Sequence, residues 1–294
     1  MIAVALTLAF SLACARPAFA GEDLAALATD PVTMSEIEHD DLHVAIDSWG
    51  ASLSARDGTG RRDVFALAQH VRVESPLASR NYYFHLEYQA GSATSPSYGG
   101  SRILGGNVIA GGRVVWLHAQ GIALGGDLGV ALPTARYGSD LAKDVSLVLA
   151  SMRPWDYDSF RASSLTVLPA VDVRAVFGPV TMQLRHQVDW AIDSGHSPRS
   201  NLATITTLYV GVRVKELFSP GVELAELYLL DPSIQDDRRA EAVVAPGLRV
   251  NLGRVSPEVG MMTNVGQPIH PGLDRVVAFR ASCTFSLEPT VLAP

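Results

Sequence analysis

Apolar and polar residues alternate along this chain with period two, in segments of about ten residues bounded by turn chemistry. In Asn81–Gln89, Tyr82, Phe84, Leu86 and Tyr88 fall on one face; Asn81, His85, Glu87 and Gln89 fall on the other, with Tyr83. Val180–Trp190 sets Val180, Met182, Leu184, Val188 and Trp190, with His186, opposite Thr181, Gln183, Arg185, Gln187 and Asp189. Near the C-terminus, Val277, Phe279, Ala281, Cys283 and Phe285 alternate with Arg280, Ser282, Thr284 and Ser286. A slip of one residue would exchange the faces completely, so the register is well specified. Weaker alternation runs over Thr204–Val214 and Val243–Leu252, and near 42–54, 63–73, 112–119, 121–132, 163–176, 221–230 and 256–266. The pattern predicts an all-β chain of about twelve antiparallel strands.

Short turns such as Phe177-Gly178-Pro179 and Gly253-Arg254-Val255-Ser256 alternate, in the second half, with longer polar connections such as 192–200 and 231–240. Short turns at one end and long loops at the other are the layout of a transmembrane barrel. Within the longest connection, 135–163, Leu141–Met152 is either an amphipathic helix with Leu141, Val145, Val148 and Met152 on one side, or another strand. A soluble sandwich also alternates. Three features favour lipid: strands long enough to cross a bilayer obliquely, aromatics such as Tyr82, Tyr88 and Trp190 towards strand ends, and polar faces that mix charged and small residues. Closure would also satisfy every strand edge.

Composition refines this picture at the N-terminus. Met1–Ala13 is almost wholly apolar, Pro17 interrupts it, and Ala18-Phe19-Ala20 precedes Gly21 as a small-residue cleavage site. This is a signal-peptide pattern, without the usual basic start; lipoprotein processing at Cys14 is the rival reading. The expected organisation is a signal peptide at 1–20, a lead-in segment at 21–41, a barrel at 42–287 and a tail at 288–294. After cleavage Cys283 is the single thiol, so no internal disulfide is expected. Removing residues 1–20 takes away Arg16 and no acid, leaving 22 basic against 30 acidic residues, a charge of −8. That argues against nucleic acid as a partner, since phosphate binding needs a basic surface. After residue 20 no apolar stretch is long enough for a membrane helix.

Four short motifs stand out: the glycine-rich run Gly125-Gly126-Asp127-Leu128-Gly129-Val130-Ala131-Leu132-Pro133-Thr134, the acidic strand Glu223-Leu224-Ala225-Glu226-Leu227-Tyr228, Ala245-Pro246-Gly247-Leu248-Arg249-Val250-Asn251, and Asp274-Arg275-Val276-Val277. They resemble outer-membrane transporter barrels of the "MetA-pathway of phenol degradation" family. The resemblance implies a barrel of this size that passes small compounds, hydrophobic ones among them. It brings no catalytic residues, and nine residues follow Phe285 where many such barrels end on an aromatic.

No enzyme site emerges. His196-Ser197-Pro198-Arg199-Ser200-Asn201 has the residue types of barrel hydrolases, but Pro198-Arg199 intervenes in their spacing. His39 and His43, with Glu38, Asp40 and Asp41, would share a face only on a helix, whereas the segment reads as a strand start. Gly105-Gly106 and Gly111-Gly112 lack a phosphate-loop context and read as bulges or close packing. No cofactor or metal is expected. The expected partners are outer-membrane lipid and a small permeant. The predicted inward charges are Glu87, Arg185, Asp189, Arg213, Glu226, Arg249 and Arg280, which either line an open channel or pair with one another and close it. The sequence thus points to an outer-membrane channel or transporter, with a barrel hydrolase and a soluble periplasmic all-β binding protein as alternatives.

Overall fold

The computed structural model describes residues 41–57, 60–77, 81–119, 121–193, 200–215, 217–230 and 239–287. The expected signal peptide, most of the lead-in segment, the tail, His39 and His196 lie outside these residues. Twelve antiparallel strands follow in order: β1 (Leu42–Asp57), β2 (Gly60–Pro76), β3 (Tyr82–Thr94), β4 (Ser101–Ala119), β5 (Ile122–Leu132) and β6 (Ser164–Phe177). They continue as β7 (Val180–Asp193), β8 (Ser200–Val212), β9 (Phe218–Leu229), β10 (Ala240–Val250), β11 (Val255–Asn264) and β12 (Leu273–Leu287). Each pairs with its chain neighbours, and β1 pairs with β12 from Leu42↔Leu287 to Ala55↔Leu273, closing the barrel. Closure satisfies the ladder all round, which is the condition for strands to cross lipid. It also replaces the soluble-sandwich alternative.

The strand ends sort the connections. At the end that carries Leu42 and Leu287 the connections are 77–81, 120–121, 178–179, 213–217 and 251–254; at the opposite end are the short 58–59 and the longer 95–100, 133–163, 194–199, 230–239 and 265–272. The second is the long-loop end, outward-facing in barrels of this kind. The exterior follows the alternation in the sequence. Tyr82, Phe84, Leu86 and Tyr88 on β3, Phe65 and Leu67 on β2, and Phe279 on β12 are exposed, while Tyr83, His85, Gln89, Ala66, Ala68 and Arg280 between them are buried inside. An apolar band on the outside of a closed barrel is a lipid-facing surface.

β4 begins well before the alternation near 112–119 predicted. Its register against β3 shifts between Tyr88 and Ala90, beside Gly105-Gly106, and this bulge hides the period.

Between β5 and β6 the chain makes a helix, α1 (Asp140–Met152), then a short 3₁₀ segment, Pro154–Phe160. Ser139 caps α1, its hydroxyl accepting from Ala142 N. Pro154, which has no backbone N–H to donate, marks its end. Of the two readings for Leu141–Met152, the helix is the one adopted. It folds into the barrel: Val145, Val148, Leu149 and Met152 have no exposure and join one core with Ala51, Leu53, Ala66, Ala68, Ala93, Val276 and Ala278 of the wall. A twelve-stranded barrel is too wide for wall side chains of this size to fill, and the inserted segment fills it instead.

Candidate functional site: a plugged lumen

The inner wall has two tiers. Towards the long loops it is apolar, with alanine at many positions: Ala51 and Ala55 on β1, Ala66 and Ala68 on β2, Ala93 on β3, Ala203 on β8, Ala225 on β9, Ala245 on β10 and Ala278 on β12, beside larger residues such as Leu53, Leu227 and Met262. At two points the wall must lack volume. A Cβ on Gly91 would lie 2.8 Å from Leu149 Cδ2, and one on Gly106 would lie 2.6 Å from the Ser159 carbonyl oxygen. Asn107 clamps the inserted segment from β4. Its Nδ2 donates to the carbonyls of Asp158 (2.8 Å) and Arg161 (2.7 Å), and its Oδ1 accepts from Ala135 N (2.9 Å). At the outer end, Asp144 of α1 accepts from Ser95 Oγ (2.5 Å), Ser97 Oγ (2.8 Å) and His270 Nε2 (3.1 Å), joining the plug to two loops. These donors hold the Asp144 carboxyl below its usual range against the opposing effect of burial.

Towards the termini the wall is charged. Arg280 donates to Asp47 Oδ1 at 2.7 Å and to Glu258 Oε1 at 2.7 Å, and Arg249 reaches Glu258 Oε2 at 3.2 Å. His70 stands between Asp47 and Glu87, 3.2 Å from each. Arg72 pairs with Glu74 (3.0 Å), Glu74 with Arg113 (3.0 Å), and Arg113 with Asp127 (3.4 Å). His85 bridges Glu87 (3.2 Å) and Asp127 (3.3 Å). Arg185 closes the arc on Asp172 at 2.9 Å. The belt therefore runs from β10 through β12, β1 and β5 to β7. Nearly all of its members are buried, so each charge has exchanged water for a charged partner.

Arg153, where α1 ends, joins the tiers. It pairs with Asp156, lies 3.4 Å from His70 Nδ1, and stacks over Trp49 at 5.3 Å and Trp155 at 6.0 Å. A cavity of about 50 Å³ lies between plug and wall. Trp155, Asp156 and Asp158 line it from the plug, and His85, Glu87, Asp127, Arg185 and Gln187 from the wall. That is room for water and little more. Burial pushes the Asp158 carboxyl above its usual range.

The predicted inward charges divide as follows. Glu87 (β3), Arg185 and Asp189 (β7), Arg249 (β10) and Arg280 (β12) are on the inner face, and Arg213 continues the inner alternation just past β8. Glu226 is a correction: it stands on the outer face of β9 between exposed Leu224 and Tyr228, and the inward acid there is Glu223. Glu87, Arg185, Arg249 and Arg280 belong to one network, which resolves the open choice in favour of pairing. Sequence reasoning missed Asp47, Arg72, Glu74, Arg113 and Glu258, although their period-two positions carried the signal. Arg153, Asp156 and Asp158 lie in a loop, where no strand alternation exists to mark them.

No protein-family model matches the chain, and no curated protein sequence does either. Among solved structures, the COG4313 outer membrane channel from Pseudomonas putida F1 is similar with a TM-score of 0.60 at 12% identity, over 88% of this chain and 100% of that one. A FadL homologue from Pseudomonas aeruginosa (TM-score 0.47, 9% identity, 84% and 90% covered) and LpxR from Salmonella typhimurium (0.42, 12%, 83% and 100%) are more distant. At such identities the likeness establishes the closed barrel fold, and function rests on the lumen.

Proposed function

We propose that this chain is an outer-membrane channel or transporter for small molecules, closed in the conformation described and opened by withdrawal of the 133–163 segment from the lumen. One observation carries the reading: the outer half of the lumen is filled by a loop, not by the wall. A barrel serving only as a scaffold would have no need of an apolar bore with a separable filling. The fold shared with the COG4313 outer membrane channel supports this, as do the sequence motifs that resemble the "MetA-pathway of phenol degradation" barrels. The chemistry of the lumen is pairing and positioning, so the proposal is of a non-enzyme. Its test is solute flux into proteoliposomes, comparing the wild type with a variant in which residues 136–161 are replaced by a short Gly-Ser linker. The expected result is slow or gated flux for the wild type and faster flux for the variant. Absence of flux of every small solute from both proteins, with barrel folding verified by a heat-dependent gel shift, would overturn it.

A further inference from the structure

The outward position of Glu226 has a context. In the ladder, Glu226 of β9 stands opposite Thr206 of β8, and Thr206 stands opposite His186 of β7. All three side chains are half-buried on the outer face, and His186 Nδ1 lies 2.9 Å from Thr206 Oγ1. Around this row the same face is apolar, with Leu224, Val222, Val210 and Trp190 exposed. Trp190 and Tyr228 lie nearer the long-loop end of their strands than His186 and Glu226 do, so the row sits inside the aromatic level. Ionisable side chains facing hydrocarbon are costly, and where they occur they meet protein partners.

We infer that the outer face of β7–β9 is an interface between two copies of this chain. The row is self-complementary: a nitrogen base at one end, a carboxylate at the other and a hydroxyl between them. A two-fold axis along the bilayer normal, passing beside Thr206, sets His186 of each copy towards Glu226 of the other, which is the reciprocity an isologous interface requires. Adjacent strands are about 4.8 Å apart. At a tilt of roughly 40° the two ends of the row differ in height by about 6 Å, within reach of a glutamate and an imidazole extended towards each other. A lipid or an unrelated protein would have to supply both a donor and an acceptor at this spacing; a second copy carries them already.

The test uses the full chain. In intact membranes, Thr206→Cys in a Cys283→Ala background is oxidised and examined for a disulfide between copies, since residue 206 lies nearest the axis. In mild detergent, the mass of the wild type is compared with those of His186→Leu and Glu226→Leu by light scattering, with the heat-dependent gel shift verifying the barrel. The expected results are a cross-linked dimer, a dimeric wild type, and at least a tenfold loss of dimer affinity in each leucine variant. A monomeric wild type without the cross-link, a cross-link to a different protein, or leucine variants as dimeric as the wild type would each overturn the interface.

Discussion

Arg280 is where the belt is most exposed to a decisive perturbation. Its guanidinium makes a 2.7 Å bond to each of Asp47 and Glu258, a further Nε contact to Asp47 at 3.2 Å, and lies 5.7 Å from the Trp49 ring. Arg280→Met keeps much of the side-chain volume and removes the charge, leaving two buried carboxylates short of their shared cation. Removing one partner of a buried pair costs about 3–5 kcal/mol. Asp47 retains His70 and Glu258 retains Arg249, so the lower end, about 3 kcal/mol, is expected. Arg280→Met combined with Asp47→Asn and Glu258→Gln removes the stranded charges as well, and should return to within about 1 kcal/mol of wild type, because a buried ionic cluster gains little net stability over neutral groups. Urea unfolding of the vesicle-inserted barrel, followed through tryptophan fluorescence, measures both. A single variant as stable as the wild type, or a triple variant less stable than the single one, would refute the reading of the belt as a mutually dependent ionic seal.

Other outcomes concern the plug. Gly91→Val puts atoms where Leu149 Cδ2 and the Leu67 carbonyl oxygen already stand; it should dislodge α1, making the 133–163 segment protease-sensitive and raising flux. Leu149→Ala empties a fully buried site and should cost about 2–4 kcal/mol, read as a lower urea midpoint. Because Asp144 has a depressed folded pKa, its contribution is present above its unfolded value and is lost as pH falls through the lowered one. Acid should therefore release the outer latch, and Asp144→Asn should flatten that limb of a protease-sensitivity profile. Asp158 has the opposite sign: its raised pKa favours the plugged state at low pH, and that advantage is lost as pH rises through it. The loosening that accompanies its ionisation as pH rises should disappear in Asp158→Asn.

Legibility in the sequence followed the strength of alternation. On β3, β7 and β12 one parity is strongly apolar and the other polar, and the faces read from sequence are those of the barrel. On β9 both parities are mixed: Leu224 and Tyr228 share one with Glu226, while Ala225 and Leu227 share the other with Glu223. With a leucine and a glutamate on each side, period alone could not assign the faces, and placing Glu226 inward followed from the general rule that charge belongs in the lumen. The first half of β4 was illegible because glycine pairs and a bulge interrupt the period. The helix was legible as an amphipathic segment, but an apolar stripe states only that something covers it. What covers it was written elsewhere, in the inward alanines of the facing wall, Ala51 and Ala55 on β1 and Ala66 and Ala68 on β2.

Under the proposed function, those alanines bear on how the lumen would open. The belt is built from wall side chains, which can change rotamer but cannot leave; the plug is built from a loop, which can. A passage of the kind proposed would therefore need two different events, withdrawal of α1 and local rearrangement of the belt. The cavity marks where the second begins, since it meets the belt at Glu87, Asp127 and Arg185, and Glu87 and Arg185 keep more side-chain exposure, 13% and 17%, than Arg113 or Asp172. Arg185 holds Asp172 at 2.9 Å but Asp127 only at 3.8 Å, so the weaker contact can yield while the stronger one anchors the side chain. A permeant that loosened the plug would meet this corner of the belt first. Arg185→Ala combined with the shortened plug should then raise flux beyond the shortened plug alone, whereas Arg280→Met in that background, on the far side of the belt, should raise it less.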